Sequence, residues 1–191
     1  MSGFKIVIEG ETDFKFLKDF IEHRFSTTNI DREDFLITGT NNLKPERSRI
    51  LSANERGESV LVIFDSDKNL GVAKERVEKQ ALKFDLKLAG QFYFPNNESS
   101  GNLETLLRQI INPARSGVLE CIDHYGKCIG QHHINELRSF DEKAKVFIYV
   151  DSFTVGGKGK PDQVDYKEKL LWNLDAEYLQ PLYEFLKPHF E

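Results

Sequence analysis

Two aspartates one residue apart, Asp65 and Asp67, follow directly on the apolar run Val-Leu-Val-Ile-Phe at 60–64. Carboxylates are hard oxygen ligands, and Mg2+ is commonly held by one or two of them together with waters and substrate phosphates. In an extended chain residues i and i+2 face the same way, so both side chains are placed to reach one cation. A second acidic cluster, Glu9, Glu11 and Asp13, brackets Gly10 after another apolar run at 4–8, and Glu104 follows a third run by way of a polar loop. Like charges raise one another's pKa, so these carboxylates cannot all ionise cheaply in one cleft without cations. At least one perturbed acid, Glu9 first among them, is therefore expected in the metal-free protein. The same aspartates also suit a strand-to-loop turn or a helix N-cap, and Glu104 suits the first turn of a helix for its dipole alone.

The elements that must position these residues are legible in the pattern. The run 60–64 carries three β-branched residues and reads as a strand buried on both faces, as in a parallel sheet. Ligands of open α/β sheets sit beyond the carboxyl ends of the strands, where Asp65 and Asp67 fall. Residues 4–9 form a first strand, Gly10 a sharp turn, and Thr12 or Asp13 caps a helix with Phe14, Phe16, Leu17, Phe20 and Ile21 on one face. A short strand at 34–38, a loop at 39–43 and a helix at 45–55 with Pro45 in its first turn precede Gly57 and the central strand. A loop at 68–71, a helix at 72–84, a strand at 91–94 stopped by Pro95, a polar loop at 95–102 and a helix at 103–111 follow. This alternation predicts an α/β fold with a mostly parallel central sheet flanked by helices. Parallel packing of the first strand beside 60–64 would bring Glu9 near Asp65 and Asp67.

From Pro113 the pattern loosens. Residues 116–125 read as helix, 131–134 as a polar turn or further helix, and 143–150 as a strand on composition, although short apolar runs are ambiguous. Residues 156–161 form a basic loop that lacks the spacing of a P-loop, and a terminal helix within 170–190 is expected to pack on the sheet. The expected division is an α/β core at 1–112 and a C-terminal helical extension at 113–191, packed as one globular unit.

With 39% hydrophobic and 30% charged residues, the 191-residue chain has the composition of a globular protein rather than a disordered one. The net charge of −5 argues against a broadly basic nucleic-acid-binding surface, but leaves open a nucleic-acid enzyme whose metals offset an acidic site. No apolar run approaches the length of a membrane span, and no signal-peptide pattern is present, which makes a cytoplasmic location the plain expectation. Cys121 and Cys128 are too few for a disulfide framework. With His124, His132 and His133 they invite a zinc site, but the spacings match no common zinc module.

The segments Glu9-Gly-Glu-Thr-Asp13 and Asp65-Ser-Asp67, in this order and with the elements between them, resemble the TOPRIM domain, whose signature is Glu-Gly-x-x-Asp after the first strand and Asp-x-Asp after a later one. The segment Ser100-Gly-Asn-Leu-Glu104 and the pair Lys143-Ala144 further resemble the small stand-alone TOPRIM-like proteins of the DUF3226 type and the OLD-family nucleases. The resemblance implies a Rossmann-like TOPRIM fold and one or two Mg2+ or Mn2+ ions, with Glu9, Asp65 and Asp67 on one and Asp13 and Glu104 on the other. It also implies that Lys143, or its neighbour Lys145, faces transition-state charge, and that Glu9 serves, as the alternative to holding metal, as general base or acid. Lys68, Lys158 and Lys160 are the candidate phosphate contacts. No ATPase, zinc-binding primase or topoisomerase tyrosine module is apparent; a protein partner such as an ATPase and self-association are both open. The expected activity is metal-dependent phosphodiester chemistry on DNA or RNA, with a non-catalytic module binding Mg2+ and a nucleic acid, nucleotide or protein as the alternative. A receiver-like phosphorylation domain fits the first acidic segment less well.

Overall fold

The computed structural model describes residues 3–27, 30–132, 134–137, 140–160 and 163–190. His133 and Pro161, named above, lie outside these residues. Four strands, β1 (Phe4–Ile8), β2 (Phe35–Ile37), β3 (Ser59–Asp65) and β4 (Gly90–Phe94), form one sheet in the order β2-β1-β3-β4, with every neighbouring pair parallel. The intervening helices are α1 (Glu11–Arg24), α2 (Arg47–Glu55) and α3 (Leu70–Phe84). Beyond the sheet come α4 (Leu103–Gln109), α5 (Ser116–Gly130), α6 (Glu142–Asp151) and α7 (Gln180–Phe190). The α/β class, the parallel sheet and the C-terminal helix expected from the sequence are all present.

Alternation along the strands explains the layers. Ile6, Ile8, Leu61, Ile63, Phe92 and Phe94 face a core built with α1, α4, α6 and α7, while Val7, Leu36, Val60, Val62, Phe64 and Tyr93 face α2 and α3. Residues 60–64 are at most 1% exposed, as a strand covered on both faces requires. Tyr166 and Trp172 pack into the first core, with Tyr166 edge-on to Phe16 of α1 at 5.5 Å. None of the described helices is long and apolar enough to cross a membrane.

The segment 143–150 is a helix rather than a strand. Its buried residues Val146, Tyr149 and Val150 recur at the i, i+3, i+4 spacing of a helix face, and Asp141 caps it by accepting the Ala144 N–H at 2.7 Å. The β-branched and aromatic composition pointed the other way because tertiary packing, not propensity, decides so short a run. Helix α1 is capped at Gly10, ahead of Thr12 and Asp13, and Asp13 at its third position reaches back to the Gly10 N–H at 2.7 Å. Trp172 precedes the terminal helix and bridges to Ile111.

The chain runs from β1 outward to β2, then crosses to the other side of β1 to lay down β3 and β4. The direction of winding therefore reverses between β1 and β3. Crevices for ligands open at such a reversal, outside the carboxyl ends of the strands. Glu9 and Asp65 stand at the ends of those two strands.

Candidate functional site

A cavity of about 680 Å3 opens there, and Glu9, Asp13, Asp65, Glu104 and Lys143 all line it. The register explains why. With Ile6 beside Leu61 and Val7 beside Val62, the two strands end side by side, and the Asp65 N–H donates to Glu9 Oε1 at 3.1 Å. Asp65 Oδ1 accepts the N–H of Leu103 at 2.9 Å, which fixes the start of α4 against the strand end and carries Glu104 inward. Glu104 is only 6% exposed. Asp141 and Glu142, at the start of α6, close the opposite wall.

The electrostatics are those of a cluster short of positive charge. Burial, followed by the charges of Asp13, Glu9 and Glu104, pushes the Asp65 carboxyl up to about 9. Burial also raises Asp13 to about 7, with Glu9 and Glu104 adding to the effect and the Gly10 N–H and Lys143 opposing it. Glu9 and Glu104 are raised as well, each chiefly by burial. The sequence singled out Glu9; Asp65 is the acid displaced furthest, because burial acts on it first and three other carboxylates add to the effect.

The family model described as "Protein of unknown function (DUF3226)" matches residues 4–191. The chain belongs to that family. No curated protein and no solved structure matches it.

The other residues singled out in the DUF3226 chain are spread around this cavity. Strand β3 ends at Asp65, and Asp67 adopts the left-handed conformation at φ 51°. Strand alternation no longer applies to Asp67, so the two aspartates diverge. Asp67 lines a neighbouring cavity, where it accepts the Asn41 amide at 3.2 Å, although its charge still reaches Glu9. Lys143 lines the acidic cavity, whereas Lys145 is held by Glu142 at 2.8 Å and Asp123 at 3.1 Å. Lys68 lines the cavity of Asp67. Lys158 and Lys160 flank Gly159, whose N–H bonds Asp151 at the far end of α6 from Lys143, so they stand apart from the site. Cys121 and Cys128 lie exposed on α5.

Between the diverging aspartates, Ser66 is 1% exposed and works as a pin. Its hydroxyl lies 2.7 Å from the Phe94 carbonyl and 3.0 Å from that of Ser99, and it accepts the Gly101 N–H at 2.8 Å. Gly101 sits at φ 152°, where a Cβ would meet Thr105 Oγ1 at 2.9 Å. Replacing Ser66 by Ala strands these groups, and the expected cost is about 1–3 kcal/mol in chemical denaturation. A change well below that range would show that the loop is held by other contacts.

Several residues at the site carried no signal in the sequence. Arg76 looks like any cation on the charged face of a helix, and Asp141 is visible only as an N-cap once α6 is known to be a helix. Tyr166 is fully buried, and its hydroxyl has no hydrogen-bond partner among the described residues. The charges of Glu104, Asp13 and Asp19 reach this hydroxyl, and with burial they hold its proton on.

The donor chemistry suits a hard divalent cation. The acids are all oxygen ligands, their ionisation is opposed by burial and by one another, and an orphaned hydroxyl lies within their field. Among the described residues no group of three or more His, Cys, Asp or Glu stands arranged around a common ion position. Glu9, Asp65 and Asp13 each turn one oxygen to a backbone N–H.

Proposed function

We propose that this DUF3226 protein carries out metal-dependent phosphodiester cleavage on nucleic acid, as the TOPRIM-like order of its two acidic segments implies. The observation that carries the reading is the meeting of Glu9, Asp13, Asp65 and Glu104 in one cavity at the sheet's winding reversal, with Lys143 on its wall. Glu9, Asp13, Asp65, Asp67 and Glu104 would hold one or two Mg2+ or Mn2+ ions. A bound ion supplies Lewis-acid polarisation of a phosphoryl oxygen and a more acidic water. The chain's own residues do the rest. Attack of a water oxygen on phosphorus breaks one P–O ester bond. Glu9, whose carboxyl burial raises above its ordinary value, takes up the water's proton and can return it to the leaving oxygen. Lys143 faces the negative charge that gathers on the phosphoryl oxygens.

A second reading is favoured by one observation, the net charge of −5, which argues against a broadly basic surface for a nucleic-acid substrate. In that reading the cavity holds one Mg2+ and recognises a nucleic acid, nucleotide or protein without turnover. Calorimetric titration of Mn2+ and Mg2+ into wild type and Asp65→Ala/Asp67→Ala, paired with nicking of supercoiled DNA, separates the two. The first reading expects metal binding and metal-dependent nicking, both lost in the double variant. Binding without cleavage selects the second, and wild-type nicking by an Asp67→Ala protein sinks the assignment of that ligand.

A further inference from the structure

A second cavity of about 530 Å3 adjoins the acidic one and shares Asn102 and Glu142 as common wall. Its lining is balanced rather than acidic, with Lys68 and Arg76 set against Asp67 and Glu142. Lys68 and Arg76 line it, and neither makes a hydrogen bond or ion pair with any described residue. Arg32, Arg49, Arg56 and Arg108, by contrast, are all held by carboxylates. Arg76 is half-buried in the second turn of α3, so its guanidinium has given up part of its water, and the charge of Glu9 reaches it without a hydrogen bond between them. The two acids on the walls do little to offset these cations. Glu142 is paired with Arg108 at 3.0 Å and Lys145 at 2.8 Å, and Asp67 is turned to Asn41. The cavity also lies at the positive end of α3, whose first turn carries no acid.

We propose that this cavity is a phosphate-binding chamber, in which Arg76, assisted by Lys68, clamps a backbone phosphate of the nucleic-acid strand next to the one held over the acidic cavity. The inference rests on the reading above for its substrate class, and adds where the strand continues and which side chain grips it. A guanidinium presents paired N–H donors that match two phosphate oxygens, and a half-desolvated one binds them more strongly than a surface lysine can. Asp65 faces the acidic cavity and Asp67, bonded to Asn41, stands on the wall of the second, with Ser66 held between them. Val72, half-exposed at the rim, offers apolar surface for the sugar or base attached to the clamped phosphate.

The test uses fluorescence anisotropy of a labelled single-stranded oligodeoxynucleotide and its RNA counterpart, in EDTA and in Ca2+ over a series of salt concentrations. The proteins are wild type, Arg76→Ala and Arg76→Lys, and calorimetric Mn2+ titration of each runs alongside. Arg76→Ala is expected to weaken oligonucleotide binding about tenfold and to lower the slope of log affinity against log salt by about 0.7–0.9, with Mn2+ affinity retained. Arg76→Lys should keep the salt slope and lose most of the affinity, since charge remains but the paired geometry does not. Wild-type affinity and slope in Arg76→Ala would overturn the proposal while leaving the metal site standing. So would a wild-type protein that binds neither probe. Loss of Mn2+ binding in wild type with the Arg76 effect intact would count against the phosphodiesterase reading alone.

Discussion

An Asp65→Asn variant is expected to lose Mn2+ affinity by at least about 100-fold, beyond the 10–100-fold typical of changes outside the ligand shell, while its metal-free form melts several degrees higher than wild type near pH 8. The two effects have opposite signs because one charge causes both. Asparagine keeps the shape of the side chain and can still accept the Leu103 N–H that fixes the start of α4. It cannot ionise. In the unfolded chain the aspartate is charged at no cost, whereas in the fold it sits among Asp13, Glu9 and Glu104 with burial against it. Folding must then either take up a proton or endure the repulsion, and the amide removes both penalties. Calorimetric titration gives the affinity and thermal melting in EDTA gives the stability. Unchanged Mn2+ affinity would take Asp65 out of the metal site, and a lower melting temperature in EDTA would mean that the aspartate is a structural group satisfied by its surroundings.

The second large effect is in pH. Stability of the metal-free wild type should fall as pH rises from about 4 to about 9. The carboxyls of Asp13, at about 7, and Asp65, at about 9, are raised above the ordinary carboxylate value. Groups of this kind bind protons more tightly in the folded state. Their contribution is therefore complete below the unfolded pKa and is lost as pH climbs through the folded one. Each titrating group contributes a slope of about 1.4 kcal/mol per pH unit. For a chain of this size that corresponds to roughly 3–5 °C per unit in melting temperature. The loss should proceed for Asp13 up to about 7 and continue for Asp65 up to about 9. Saturating Mn2+ should flatten the curve, because the cation replaces the proton as the partner of the charge. A flat profile in EDTA would show that water reaches these carboxylates freely.

Much of this arrangement was legible in the residues. The run 60–64 announced a strand covered on both faces, and the parallel sheet followed from the alternation of elements. From the sheet alone, Glu9 and Asp65 had to meet. Glu104 came inward because a helix had to start where the polar loop ended. What stayed hidden depended on backbone detail or on distant packing. The left-handed turn at Asp67 breaks the alternation that would have kept it beside Asp65, and aspartate tolerates that conformation without any glycine to mark it. The helical state of α6 was masked by β-branched and aromatic residues, with Asp141 as the one overlooked cue. Arg76 and Tyr166 reach the site only through the fold. Tyr166 is anchored by its own N–H to Asp19 at 3.1 Å, a contact across 147 positions of sequence.

That long reach bears on the order in which the chain can be made functional. Strands β1 to β4 are complete by residue 94, yet one face of the sheet is covered by Tyr166, Trp172 and α7, with Phe185 tilted against Phe92 of β4 at 5.5 Å. A nascent chain leaving the ribosome therefore has at first only α1 on that apolar face of the finished sheet, and the full cover waits for roughly another 90 residues, on the order of 5–20 s at usual elongation rates. During that interval the acidic cavity lacks α6 and Lys143 for part of the time, and the core beneath it lacks Tyr166 for longer. An unfinished chain thus has no assembled acidic cavity.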